Sequence, residues 1–171
     1  MTDGSAMLAN RAAELRSAFD RSFAKEQRLD GESTEDLLAI RLGQEPYAMR
    51  LSEIAGLFAD KKITLVPRDD PALLGIAGFR GAIVPVYDLR ALLGQPTAIA
   101  ARMLVLAASL PVAFAFDVSD GHLRIPRNAI APRGIGDPAN RYVREIAHAD
   151  DELRSIVHLG AVIEAITKRI P

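Results

Sequence analysis

Apolar residues recur along this chain with two different periods, and the place where one gives way to the other divides it. From Leu8 through Ala12, Leu15, Phe19 and Phe23 the spacing is helical, with Arg11, Glu14, Arg16, Asp20 and Lys25 mostly on the opposite side. Ser5 can cap this segment and Asp30-Gly31 can end it, so one amphipathic helix is expected over residues 5 to 29. Its stripe either packs on the domain behind it or docks a partner. After the breakers of Gly31 to Asp36 the period falls to two. Leu38, Ile40 and Leu42 alternate with Ala39 and Arg41, Gly43 to Glu45 make a turn, and Tyr47, Met49 and Leu51 alternate again, which is a hairpin pattern. Ile63 to Val66, closed by Pro67 and the Arg68-Asp69-Asp70-Pro71 turn, predicts another strand. The expected division is therefore a helical extension, residues 1 to 36, and a strand-rich domain, residues 37 to 171.

The densest pattern is Leu73 to Gly94, LLGIAGFRGAIVPVYDLRALLG. Gly75, Gly78 and Gly81 punctuate a turn. Ile83 and Pro85 on one parity and Val84 and Val86 on the other then predict a strand buried on both faces. Pro85 cannot donate a ladder hydrogen bond, which places it at a strand edge or a bulge rather than in a regular central strand. Asp88 stands where an N-cap belongs, and Leu89, Leu92 and Leu93 give the following turn an apolar face before Gly94 stops it.

Farther on, Met103 to Ala107 and Val112 to Phe116 flank Ser109-Leu110-Pro111 and predict a second hairpin. Leu123 to Pro126 is a further strand. Residues Ala131 to Ala139, with Pro132, Gly134, Gly136 and Pro138, read as a long surface loop. Tyr142-Val143 opens a strand, Ser155 to Leu159 is the last one, and Ala161 to Ile170 is a closing helix with Val162, Ile163 and Ile166 apolar. Many short strands punctuated by glycine and proline imply a mainly β fold of small barrels.

Composition narrows the chemistry. The 171 residues are nearly half hydrophobic, enough for a real core in one domain or two small lobes. With 22 acidic and 21 basic residues the net charge is −1, so no global field recruits nucleic acid or anionic lipid. Without cysteine there is no thiolate catalysis or thiolate metal site, no apolar run is long enough for direct membrane insertion, and Met1-Thr2-Asp3 does not open a signal peptide. A cytoplasmic protein is expected. Asp117, Asp120 and His122 are candidates for a metal, but their spacing fits no known motif and Asp120-Gly121 is an ordinary turn signal. His148 and His158 are isolated and lack a serine nucleophile elbow. Glycines at 75, 78 and 81 fit neither the dinucleotide fingerprint nor a phosphate loop, so no cofactor is expected.

Two stretches carry a resemblance. LGIAGFRGAIVPVYDLRALLG is similar to the LGxxNLRGxxxPVxDLRxLLG segment of the CheW-like chemotaxis coupling proteins, matching at Leu74, Gly75, Arg80, Gly81, Pro85, Val86, Asp88, Leu89 and Arg90 without a gap. Gly78 stands where the family usually has Asn and Phe79 where it has Leu. The opening hairpin followed by Leu51-Ser52-Glu53-Ile54 resembles the family's first strands and LxEI segment. Phe116-Asp117-Val118 resembles its VDxV segment, with Ser119 and His122 where Val is usual. Tyr142-Val143 resembles its YIxGV strand, with Glu145 in place of Gly. Gly160 interrupts the usual apolar-acidic-helix junction. The resemblance covers residues from about 37 to 168 and implies two five-stranded SH3-like β-barrels packed around a common core.

It also implies a function: a non-enzymatic adaptor that couples the cytoplasmic tip of methyl-accepting chemoreceptors to a CheA-type histidine kinase. The positions matching the family's contact groove are Glu53 and Arg80, with Gly78, Phe79 and Gly81 around them. Arg80 has a second reading, an internal ion pair with Glu53 or Asp88, because a guanidinium fork can serve a carboxylate bidentately. Asp88 and Arg90 read as structural. Two alternatives to the coupling function stand beside it. One is a divergent paralogue serving another array or competing with the main coupler, suggested by Gly78, Phe79 and the N-terminal helix; the other is a small hydrolase, for which only scattered His and Asp speak.

Overall fold

The structure, a computed structural model, describes residues 33–67, 69–96, 103–134 and 141–168. The helix expected over residues 5 to 29 lies outside the described residues. The chain starts its sheets earlier than the breakers suggest: β1 is Thr34–Leu42, so Thr34 to Asp36 are already strand. Gly43, at φ 63, reverses the chain into β2, Glu45–Arg50, in the register Leu37↔Arg50 to Leu42↔Glu45. A single 3-10 turn, Leu51–Glu53, then carries the chain into β3, Ile54–Ala59.

The middle of the chain makes a five-stranded sheet in the order β3-β6-β7-β5-β4, with β4 Leu73–Phe79, β5 Ala82–Asp88, β6 Met103–Ala107 and β7 Ala113–Phe116. Both ends of the domain build the other sheet, six-stranded in the order β8-β1-β2-β11-β10-β9. Its remaining strands are β8 Val118–Pro126, β9 Ile130–Pro132, β10 Val143–Ala149 and β11 Glu152–Val157. The two ends meet in the parallel pairing of β2 with β11, Tyr47↔Ser155 through Met49↔Val157. Two helices complete the domain, α1 Leu89–Leu92 and α2 Leu159–Thr167.

Period-two alternation then assigns the faces. Leu38, Ile40, Leu42, Tyr47 and Met49 of the first sheet meet Val105, Phe114 and Phe116 of the second, and Leu159, Val162, Ile163 and Ile166 of α2, in one common core. The opposite faces fill two smaller interiors: Leu37, Ala48, Ile125, Ala147 and Ile156 in one lobe, Ala77, Phe79, Val84, Val86, Leu104 and Ala115 in the other. In the five-stranded lobe β3 and β4 are opposite edges of the sheet, yet the rings of Phe58 and Phe79 touch edge to face at 4.8 Å, so the sheet curls back on itself. The fold is mainly β, two barrel-like lobes around a shared core.

Gly75 and Gly78, expected in a turn, lie inside β4, Asp120-Gly121 lies inside β8, and Ala131 and Pro132 belong to β9 rather than to a loop. Three further local expectations need correction. Ile63 to Val66 forms no strand; only Thr64 bridges to Ile76, through paired backbone bonds of 2.8 and 2.9 Å. That bridge depends on Gly75, where a Cβ would stand 2.2 Å from the Thr64 carbonyl oxygen. Second, β5 is not buried on both faces: Val84 and Val86 are inside, but Ile83 is 74% exposed. Third, Pro85 sits inside a continuous strand, which it tolerates because the ladder to β7 starts one residue later, at Val86↔Ala113.

Candidate interaction surface

The site residues begin with a turn. Phe79 pairs with Ala82, leaving Arg80-Gly81 as the two-residue connection of β4 to β5, with φ of 47 and 87. Positive φ at both central positions is the type I′ geometry that matches strand twist, and its first position favours Asn, Asp or Gly. The other non-glycine residues with positive φ among the described residues are all aspartates, Asp60, Asp150 and Asp151. A long cationic side chain in that conformation is the exception, and backbone strain of this kind concentrates at functional positions. Arg80 is exposed and, among the described residues, makes neither a hydrogen bond nor an ion pair. Beside it Gly78 faces open space, and its cross-strand partner is the exposed Ile83. Gly81 likewise has nothing within 4 Å of where a Cβ would be. The hairpin tip therefore offers one unpaired cation, one bare apolar side chain and unobstructed backbone.

Phe79 and Glu53 go elsewhere. The Phe79 ring is 3% exposed, packed inside the lobe against Phe58, and Lys61 Nζ lies 5.1 Å from its centroid. Glu53 does not pair with Arg80. Its carboxylate accepts from the Leu159 and Gly160 amides, at 3.3 and 3.2 Å, and so caps α2 from a distant part of the chain. The local N-cap position, His158, makes no side-chain cap bond, so Glu53 supplies the anion that the helix N-terminus otherwise lacks. The Glu53 carbonyl accepts from Ala108 at 2.9 Å, which fixes the turn that presents the carboxylate. The internal pairing of Arg80 with Glu53 or Asp88 is thus overturned, since both carboxylates have other work.

Asp88 performs the capping expected of it, accepting from the Arg90 amide at 2.9 Å. It is 2% exposed, and burial raises its pKa although the Arg90 and Ala91 amides and the Arg90 charge pull the other way. Arg90 is structural in a manner the sequence did not reveal: its guanidinium reaches Asp117 at 3.1 Å, and the same Asp117 oxygen accepts from the Gly43 amide at 2.6 Å. The other residues considered for a metal are likewise engaged. Asp120 pairs with Arg41 at 3.0 Å and with the buried Arg154 at 2.9 Å, and His122 Nε2 lies 2.8 Å from Asp36. Among the described residues no group of three or more His, Asp or Glu could hold a metal ion. His158 joins Arg50 and Glu145: its Nδ1 is 3.3 Å from the Arg50 guanidinium and its Nε2 is 2.9 Å from the carboxylate. Arg50 also holds Glu35, tying β1, β2 and β10 together at one edge of the common core.

Comparison with known proteins adds the decisive observation. The family model for the CheW-like domain matches residues 36–167, most of the chain. The chain belongs to the CheW-like domain family. Among curated relatives it is 23% identical over 136 residues to the chemotaxis protein CheW of Bacillus subtilis, covering 76% of this chain and 87% of that one. It is 24% identical to a probable chemotaxis protein CheW of Rhizobium etli, covering 74% and 86%. A solved structure titled scaffolding protein TtCheW, from Thermoanaerobacter tengcongensis, superposes with a TM-score of 0.67 at 22% identity, covering 73% and 89%, which establishes the shared fold.

Within this CheW-like domain the sequence departures acquire physical reasons. Phe79 in place of Leu is an interior change, accommodated by the edge-to-face contact with Phe58. Gly78 in place of Asn bares the surface beside Arg80 and Ile83. Gly160, which interrupts the junction pattern, donates its amide to the Glu53 carboxylate at 3.2 Å.

Proposed function

We propose that this CheW-like domain is a non-enzymatic cytoplasmic adaptor that couples chemoreceptors to a CheA-type histidine kinase. The receptor-facing element is the β4–β5 tip, with Arg80 as its charged contact and Gly78, Gly81 and Ile83 around it. The observation that carries this is Arg80 itself: exposed, unpaired among the described residues and held at positive φ, it has no structural task that would account for its place. No helix among the described residues is long and apolar enough to cross a membrane, in keeping with a protein that meets receptors at their cytoplasmic ends. The divergent-paralogue reading loses one of its supports, because Phe79 is a packing change rather than a surface change.

The test is a pull-down with receptor cytoplasmic fragments and, separately, with the kinase. Arg80→Glu replaces attraction by repulsion and is expected to abolish receptor capture while leaving the melting temperature and kinase capture intact. A folded Arg80→Glu protein that captures receptor like the wild type would remove the hairpin tip from the contact surface.

A further inference from the structure

A second surface lies in the six-stranded lobe, where α2 crosses the start of β10. There a cleft of about 390 Å³ opens between the helix face carrying Ala161 and Ala165 and the segment running into β10 that carries Arg141 and Arg144. Its charge is unlike that of the chain as a whole. Arg141, Arg144 and Lys168 contribute three cations and Glu164 one carboxylate, whereas the full chain has a net charge of −1.

Each cation is positioned by something other than a carboxylate partner of its own, except Lys168. The Arg141 guanidinium lies 4.7 Å over the Tyr142 ring, whose residue is 3% exposed, so a cation–π contact anchors it without neutralising it. Arg144 is the extra residue where the β10–β11 register shifts between Val143 and Glu145, and such bulges re-aim a side chain. Its backbone is held by the Arg133 amide donating to its carbonyl at 2.7 Å, and its side chain is exposed and, among the described residues, makes neither a hydrogen bond nor an ion pair. Lys168 donates to Glu164 at 2.6 Å, and the Lys168 and Arg144 charges hold the Glu164 carboxyl below its usual range. Glu164 pairs directly with Lys168 and offsets part of the Arg144 charge, so among the described residues lining the cleft three cations face one carboxylate. Ala161 and Ala165, one turn apart and packed on the common core, form a low apolar floor between helix and arginines that lets another chain approach closely.

We infer that this cleft binds an acidic segment of a partner protein, its carboxylates taken by the Arg141 and Arg144 forks and an apolar side chain seated on Ala161 and Ala165. Two planar guanidiniums lining one cleft can each take a carboxylate bidentately, and alanines in the same lining favour a peptide over a bare anion. The cleft belongs to the lobe opposite the β4–β5 hairpin, so its occupant does not depend on the role given to Arg80.

Fluorescence anisotropy tests this with the full chain and two labelled peptides, one built on a Glu-Glu-Leu-Ala repeat and one with Gln for every Glu. The glutamate peptide is expected to bind, to weaken roughly tenfold in Arg144→Glu, to weaken with added salt, and to bind Arg80→Glu like the wild type. Equal affinity for the two peptides, or unchanged affinity in Arg144→Glu, would overturn the inference. So would displacement of the peptide by micromolar inorganic phosphate, which marks a small-anion site, or self-association lost in Arg144→Glu, which marks a second copy as the occupant. Should Arg144→Glu fail to fold, Arg141→Gln, which lies outside the strand, carries the same comparison.

Discussion

Replacing Glu53 by alanine removes a helix cap that the chain supplies from more than a hundred residues away. Two amides lose their acceptor, that of Leu159, a fully buried residue, and that of Gly160, which is exposed. Loss of an N-cap acceptor costs about 1 kcal/mol, and loss of a carboxylate from the positive end of a helix about 0.5 more. The Gly160 amide can turn to water, whereas that of Leu159 cannot do so freely, which adds a further desolvation cost of about 1 kcal/mol. The sum, about 2.5 kcal/mol, corresponds in a domain of this size to a fall in melting temperature of roughly 5 to 10 °C. Glu53→Gln, which keeps one acceptor oxygen but no charge, should fall by about half as much. Thermal melts followed by circular dichroism measure both. The same experiment separates a cap from a partner of Arg80: in a cycle of Glu53→Arg, Arg80→Glu and the double variant, the stability effects should add within about 0.5 kcal/mol. A melting temperature unchanged in Glu53→Ala, or stability restored in the double variant, would refute the reasoning.

Other substitutions probe the layers separately. Phe114→Ala, at a fully buried position in the common core, should cost about 3 to 5 kcal/mol in urea unfolding. Asp120→Ala leaves Arg154, 5% exposed, with Glu152 as its remaining carboxylate, and should cost about 3 kcal/mol in the same assay; a neutral result would show that Glu152 alone satisfies it. Tyr47 titrates late: burial first, then its hydrogen bond to Glu45 and that carboxylate's charge, raise the phenol from 10.0 to about 12. Because the folded pKa is the higher one, the stability it contributes is complete below pH 10 and is lost as pH rises toward about 12. Alkaline unfolding of Tyr47→Phe should lack that component, so the gap between variant and wild type should narrow across the same interval.

The parts of this fold that could be read in the sequence are those whose determinants are neighbours along the chain. Asp88 before a Leu-rich turn announced its cap, and the alternation of Leu38 to Leu42 and Tyr47 to Met49 announced a hairpin. Arg80 was expected on a glycine-flanked turn and lies on one, whereas Gly78, expected in that turn, is a paired residue of β4. What could not be read depends on partners far apart in sequence. The parallel meeting of β2 with β11 joins residues about a hundred apart, and no local pattern encodes it. Period two gives two faces to β5 but not which face meets water, so Ile83 looked buried. Ile63 to Val66 has strand composition, yet Gly75 admits only the Thr64 bridge before the chain departs. The capping role of Glu53 could not be read because the amides it serves lie in α2, and Gly160, which read as a broken junction, is one of the two donors.

The coupling function itself is tested most directly by asking whether the kinase reaches receptors only through this protein. Vesicles bearing receptor signalling domains are sedimented with the kinase, with and without the chain, and the kinase in the pellet is measured. The kinase is expected to pellet when wild-type chain is present, to stay in solution without it, and to stay in solution when Arg80→Glu is supplied instead. Kinase that pellets equally without the chain, or that never pellets with it, would contradict the account.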